Sequence, residues 1–155
     1  QMSRVVAEFG CPVIVMHIKG TPKNMQDNPV YKDVIGEVKA YLQESLDLAV
    51  NAGLAREKVI IDPGIGFGKT TAHNLKILQR LQEFKTLGQP ILMGTSKKTF
   101  IGKTLELPVQ QRDFGTAATV ALSIAGGADI VRVHSVREMK QVAQMADAIV
   151  RGNYE

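Results

Sequence analysis

Apolar residues gather in four short runs along the chain, at residues 12–18, 59–62, 90–94 and 129–134. Each is short and bounded by Pro, Gly or charged positions, which predicts strands buried in a parallel sheet. A helical period follows each run. Val34, Ile35, Val38, Tyr41, Leu42, Leu46 and Ala49 fall on one helical face, and Asn51-Ala52-Gly53 closes that helix with a C-cap glycine. Leu75, Leu78, Leu81 and Phe84 repeat the pattern until Gly88 stops it. The third run leads into a long loop and then a Gly/Ala-rich helix from about residue 115 to residue 125. Val136, Met139, Val142, Ala143, Ala146 and Ile149 mark the last helix, and Val5, Val6 and Phe9 mark the tail of one that precedes the first strand.

Strand and helix alternating four times predicts an α/β fold with parallel strands. A closed (β/α)8 barrel takes about 250 residues and eight such units, whereas four βα units are expected here. The chain therefore reads either as a small open sheet or as an incomplete half-barrel that begins mid-pattern, in one domain over residues 1–155.

The distribution of polar residues favours the barrel. Each strand ends in chemistry: Met16-His17 with Gly20-Thr21-Pro22, Asp62, Gly94-Thr95-Ser96-Lys97-Lys98, and Arg132-Val133-His134-Ser135. The opposite ends, residues 54–58 and 85–89, are bland. Such one-sidedness marks the functional face of a barrel. The most informative stretch is residues 58–69, where an apolar strand ends in Asp62 and breaks into Pro63-Gly64-Ile65-Gly66-Phe67-Gly68-Lys69. Glycines there let backbone approach a bound group closely. Taken alone, Asp62 is equally a turn-starting Asp before Pro-Gly. A GxxxxGK phosphate loop does not fit, since only three residues separate Gly64 from Gly68.

Composition narrows the partners. The 155 residues are 45% hydrophobic, 22% charged and carry a net charge of +4, which suits one domain with a real core and a bias toward anionic small molecules. Aromatics at 5%, no Trp and no basic run argue against nucleic acid. No segment approaches the roughly 20 apolar residues of a membrane span, and residues 1–10 lack the pattern of a signal peptide. The single Cys11 excludes an internal disulfide and suits a reducing compartment; a cytoplasmic location is expected.

The motifs at the strand ends occur in order with Met25-Gln26, Ile101-Gly102, Arg112, Gly115-Thr116 and Gly126-Gly127-Ala128. This series resembles the C-terminal half of the dihydropteroate synthase family over essentially the whole chain. The resemblance implies strands five to eight of a (β/α)8 barrel. It also implies a reaction in which 4-aminobenzoate displaces pyrophosphate from a hydroxymethyl-dihydropterin diphosphate. Carried onto this chain, it makes Lys98, Arg132 and His134 the catalytic group. Asp62 takes the N–H edge of the pterin, Lys98 its polar edge, Ser96 neighbours the aminobenzoate, and Met16, Phe67, Gly66 and Gly94 complete the substrate site. Mg2+ is implied for the complete enzyme, with its protein ligand on strands outside this sequence and no metal ligand here. A homodimer or higher self-association is expected, because free strand edges invite pairing.

Two positions depart from the family pattern: Lys97 where Arg is common, and Ser135 where Asp is common. Lys for Arg gives up planar stacking and fork geometry. A pterin-binding methyltransferase domain using methyltetrahydrofolate and a non-catalytic pterin-binding fragment are the alternatives. The Ser96-Lys97-Lys98 loop and Arg132-Val133-His134 favour the synthase, since a diphosphate leaving group needs cations and a methyl transfer does not. Blander roles are expected elsewhere: a satisfied core histidine at His17, helix capping by His73-Asn74 beside Thr70 and Thr71, loop anchoring by Arg112, solvated charges at Lys19, Lys23 and Lys103, and a helix stop at Gly126-Gly127.

Overall fold

The computed structural model describes residues 2–152. The order is α1 (Met2–Phe9), β1 (Val13–Met16), α2 (Val34–Asn51), β2 (Val59–Asp62), α3 (Thr71–Gln79), β3 (Leu92–Met93), α4 (Thr99–Leu105), α5 (Asp113–Ala125), β4 (Ile130–Val131) and α6 (Val136–Arg151). All strand pairings are parallel. β1 and β2 run in register from Val13 opposite Val59 to Met16 opposite Asp62, and β3 pairs with β4 through Leu92–Ile130 and Met93–Val131. A single parallel bridge, Ile61 to Ile91, joins the two pairs, with the Ile61 N–H donating to the Pro90 carbonyl at 2.9 Å. The strands thus lie in chain order, and their carboxyl ends share one side.

The main core lies between this sheet and its helices. Val34, Ile35, Val38 and Leu42 of α2 pack with Ile61, Ile77, Leu81, Phe84, Ile91 and Met93. α2 forms because its apolar positions recur at helical spacing, and Asp33 caps it by accepting from the Ile35 N–H. α5 and α6 build a second cluster around Val120, Ile124, Met139 and Ala146. Val6 of α1 joins Leu46, Ala49, Leu54 and Val59 in a third.

Three expectations need correction. Residues 99–105, read as part of a long loop, form α4. Its two buried large residues, Phe100 and Ile101, are adjacent in sequence and give no period, and a left-handed Glu106 (φ 56°) ends it after seven residues. The helix after β2 also breaks at Arg80, so Leu81 and Phe84 lie in a following 3-10 turn, Leu81–Leu87. Leu75, placed on its buried face, is exposed. Finally, β4 ends at Val131, so Arg132 and His134 follow the strand instead of sharing it. β4 is paired to β3 alone among the described residues, and its ladder stops where β3 ends at Met93, although the Arg132 N–H still reaches the Met93 carbonyl at 2.9 Å.

Candidate functional site

Asp62 closes β2 and is almost fully buried. Its Oδ1 accepts the Gly64 N–H at 2.7 Å, the turn geometry an Asp before Pro-Gly favours. The turn and the site are therefore built from the same carboxylate. Burial raises its pKa above the usual Asp value, while the Gly64 amide, Lys98, Lys69 and Arg132 pull the other way.

The glycine segment after Asp62 is pinned atom by atom. Five consecutive carbonyls receive side-chain donors: Gly64 from Lys69, Ile65 from Lys98, Gly66 from Gln26, Phe67 from Lys69, and Gly68 from Tyr31. The Gly66 N–H donates to Asn74 Oδ1 at 2.8 Å. Gly64 and Gly68 have φ of 71° and 65°, and a Cβ on either would overlap the carbonyl oxygen of His17 or Lys19. Only glycine serves at these two positions. The result presents the Phe67 ring beneath the Lys98 ammonium, which lies 4.7 Å from the ring centroid.

Lys98 sits at the N-cap of α4. Desolvation lowers its pKa to about 8, with Asp62 opposing and Arg132 adding to the shift. Ser96 is buried, and its hydroxyl oxygen lies 2.9 Å from His134 Nδ1 and accepts the His134 N–H at 3.2 Å. Gly94 leaves room beside the Arg132 side chain: a Cβ there would stand 4.0 Å from Arg132 Cβ. Met16 ends β1 opposite Asp62. An open cavity of about 890 Å³ adjoins this face, walled by Met25, Gln26, Phe67, Lys98, Phe100 and Arg112 among others. Asp62, Gly66, Phe67, Lys98, Gly94 and Arg132 thus form one locality, with Ser96 and His134 joined beside it and Met16 on the neighbouring strand.

The blander expectations fare well. His17 is a buried histidine, its Nδ1 2.7 Å from Lys69 Nζ, and burial with the nearby Lys69 charge lowers its pKa to about 4. Thr70 and His73 form a reciprocal capping box at α3. Arg112 donates to the Leu107 and Lys97 carbonyls and anchors the loop before α5. Gly126 caps α5. Lys19 is more than a solvated charge: it donates to the Val30 carbonyl at 2.6 Å, pairs with Glu37 at 3.0 Å and lies over the Tyr31 ring.

Sequence reasoning assigned no role to Lys69, Tyr31, Gln26 or Asp113. Asp113 receives both departures from the family pattern: Lys97 Nζ lies 3.0 Å from its Oδ2, and the Ser135 hydroxyl donates to Oδ1 at 2.8 Å. Lys97, at φ 55°, is also held by its N–H to Thr116 Oγ1 at 3.0 Å. No residue-type signal marked the role of Lys69, because two of its partners are backbone carbonyls and the third is His17, 52 positions away.

Among the described residues no group of three or more His, Cys, Asp or Glu side chains is placed to hold a metal ion. No helix among the described residues is long and apolar enough to cross a membrane.

A family model described as pterin binding enzyme matches residues 1–134. The dihydropteroate synthase of Synechocystis sp. is 48% identical over 148 residues, which cover 95% of this chain and 51% of that protein. The Yersinia pestis dihydropteroate synthase, solved in complex with a sulfonamide drug, superposes with a TM-score of 0.92 at 38% identity, over 95% of this chain and 54% of that one. The Thermus thermophilus enzyme, solved with 4-aminobenzoate and with 6HMPPP, gives a TM-score of 0.89 at 36% identity in both cases, over 96% of this chain and 60% or 59% of that one. The chain spans about half the length of the curated relatives it matches.

Proposed function

The chain belongs to the pterin binding enzyme family, and from that premise we propose that it forms the C-terminal half of a dihydropteroate synthase, four βα units of a (β/α)8 barrel. Its substrates are a hydroxymethyl-dihydropterin diphosphate and 4-aminobenzoate. Relatives of known structure captured with 4-aminobenzoate and 6HMPPP support this choice. The single observation that carries it is the buried Asp62 carboxylate, acted on by Lys98 and Arg132 and standing in one loop with the Phe67 ring.

Asp62 accepts the two N–H donors on the amidine-like edge of the pterin, a charge-assisted pair stronger than neutral partners give. Its ionised form does this best, and the Gly64 amide and the surrounding cations favour that form against the burial that raises its pKa. Lys98 meets the polar edge of the ring, and Met16 and Phe67 supply apolar walls, with Gly66 and Gly94 leaving room for it. The aniline nitrogen of 4-aminobenzoate attacks the exocyclic methylene carbon. A C–N bond forms, the C–O bond breaks, and pyrophosphate departs with both electrons of that bond. Arg132 lies over the pterin ring and His134 at the leaving diphosphate, where fixed cationic or donor groups stabilise charge developing on the leaving oxygen. The anilinium proton passes to solvent, so no general base is required. Ser96 holds His134 and borders the aminobenzoate.

In this reading the site is completed by the other half of the barrel, and the chain alone turns over far more slowly than a full-length relative. Pyrophosphate release from the two substrates measures this. Turnover equal to a full-length relative contradicts the half-site reading. Loss of the residual rate in Lys98→Ala and Arg132→Ala supports the assigned roles.

A further inference from the structure

We propose that Lys69 is a positioning residue for the pterin site: its ammonium joins the Gly64 and Phe67 carbonyls to the His17 imidazole, and so sets the stance of the Phe67 ring and of the Gly64 amide that holds Asp62. This rests on the pterin reading given above.

Lys69 is 3% exposed, yet it touches no carboxylate. Its three N–H donors are fully used: Gly64 O at 2.9 Å, Phe67 O at 3.1 Å and His17 Nδ1 at 2.7 Å. An ammonium offers three donors and no acceptor, so the match is complete. His17 must be neutral with its proton on Nε2 to accept this bond, and T-shaped contact with Tyr41, at 4.9 Å between centroids, fixes the ring from the α2 side. The lysine thus ties the loop after β2 to the end of β1, across the strand pair that also carries Met16. A buried cation without a carboxylate in contact is costly, and the three acceptors it ties together offset that cost; a Met of similar length would fill the space but leave them unpaired.

The charged groups facing Lys69 are few. Asp62 at the end of β2 favours the ammonium, while burial and Lys98 at the start of α4 oppose it, bringing its pKa to about 7. His17 beyond β1 and His73 on α3 feel the same charge, and both are held below their usual values mainly by burial. Loss of the proton leaves two donors for three acceptors. The tie therefore holds while Lys69 is charged and loosens as pH rises through about 7.

The experiment compares the wild-type chain with Lys69→Met, Lys69→Arg and the exposed-site control Lys140→Met. Without ligand, the 15N signals of the His17 ring and the ring protons of Phe67 are followed from acid to alkaline pH. The wild type and Lys140→Met show a common inflection near 7 at both residues, and Lys69→Met removes it and shifts Phe67. Unchanged His17 and Phe67 signals in Lys69→Met overturn the proposal. In the second arm, calorimetric titration with pterin diphosphate finds Lys69→Met about tenfold weaker, as expected for lost hydrogen bonds to a charged group. Lys69→Arg recovers part of the affinity and loses the inflection near 7. Affinity unchanged in Lys69→Met also overturns the proposal. A wild type that binds no pterin counts against the pterin reading instead, and the ligand-free arm then decides the role of Lys69 by itself.

Discussion

The Ser96 hydroxyl and the His134 imidazole, 38 positions apart, meet 2.9 Å from one another, and the same hydroxyl accepts the His134 N–H. One small side chain thereby holds together the segments that follow β3 and β4. Because β4 ends three residues before His134, this contact replaces the strand ladder as the means of fixing the imidazole.

Ser96→Ala removes both bonds at a buried position. The expected cost is about 1–2 kcal/mol of stability, read by urea denaturation. Affinity for a pterin diphosphate should fall, whereas affinity for the same pterin without the diphosphate should be retained if His134 takes the proposed place at the leaving group. Equal losses for both ligands contradict this placement.

Gly64 and Gly53 offer a matched comparison. Both have positive φ, but a Cβ on Gly64 would strike the His17 carbonyl oxygen, whereas nothing lies within 4 Å of one on Gly53. Gly53→Ala should cost about 1 kcal/mol from backbone conformation alone. Gly64→Ala should cost about 3 kcal/mol or more, because backbone must move as well. Thermal or urea midpoints of the two variants check the order.

His17 makes the fold acid-sensitive. Its folded pKa, about 4, is depressed below the unfolded 6.5, so its contribution is fully present above 6.5 and is lost as pH falls through 4. The shift corresponds to roughly 3 kcal/mol. Asp62 acts in the opposite sense, since its raised pKa favours the folded state on acidification. His17→Gln should therefore flatten the loss of stability between pH 6.5 and 4 relative to the wild type. A variant with an unchanged slope over that range contradicts the account.

Much of this was legible in the sequence. The four strand positions, α2 and α6 follow from apolar runs and helical spacing, because burial against one sheet imposes those periods. Asp62 and Phe67 stood out in their glycine-rich segment, whereas Lys98 entered only through the family resemblance. α4 was not, since Phe100 and Ile101 bury themselves side by side within only seven helical residues. Nor was the role of Lys69, whose partners are two backbone carbonyls and a histidine 52 positions away. Backbone acceptors leave no residue-type signature, so such a tie appears only once the loop is folded. Asp113 was hidden for a related reason: its value comes from Lys97 and Ser135, brought to it from two different strand ends.

Self-association is a further expectation. Ile14 of β1 and Ile130 of β4 are partly exposed, and Phe114, Leu122, Met145 and Ile149 present apolar surface on α5 and α6. Exposed patches and free edges of this kind favour pairing. Size-exclusion chromatography with light scattering should give a species larger than the 16.9 kDa monomer. A clean monomer across the concentration range contradicts it.

The most direct measurement is calorimetric titration of the chain with hydroxymethyl-dihydropterin diphosphate, comparing the wild type with Asp62→Asn. Asn keeps the shape but replaces one accepting oxygen with a donor, which opposes the pterin N–H edge. Affinity at least about a hundredfold weaker in the variant is the predicted result, on the scale of one charge-assisted pair lost and one polar clash gained. Equal affinity in the two proteins would contradict the claim that Asp62 is the pterin anchor of this chain.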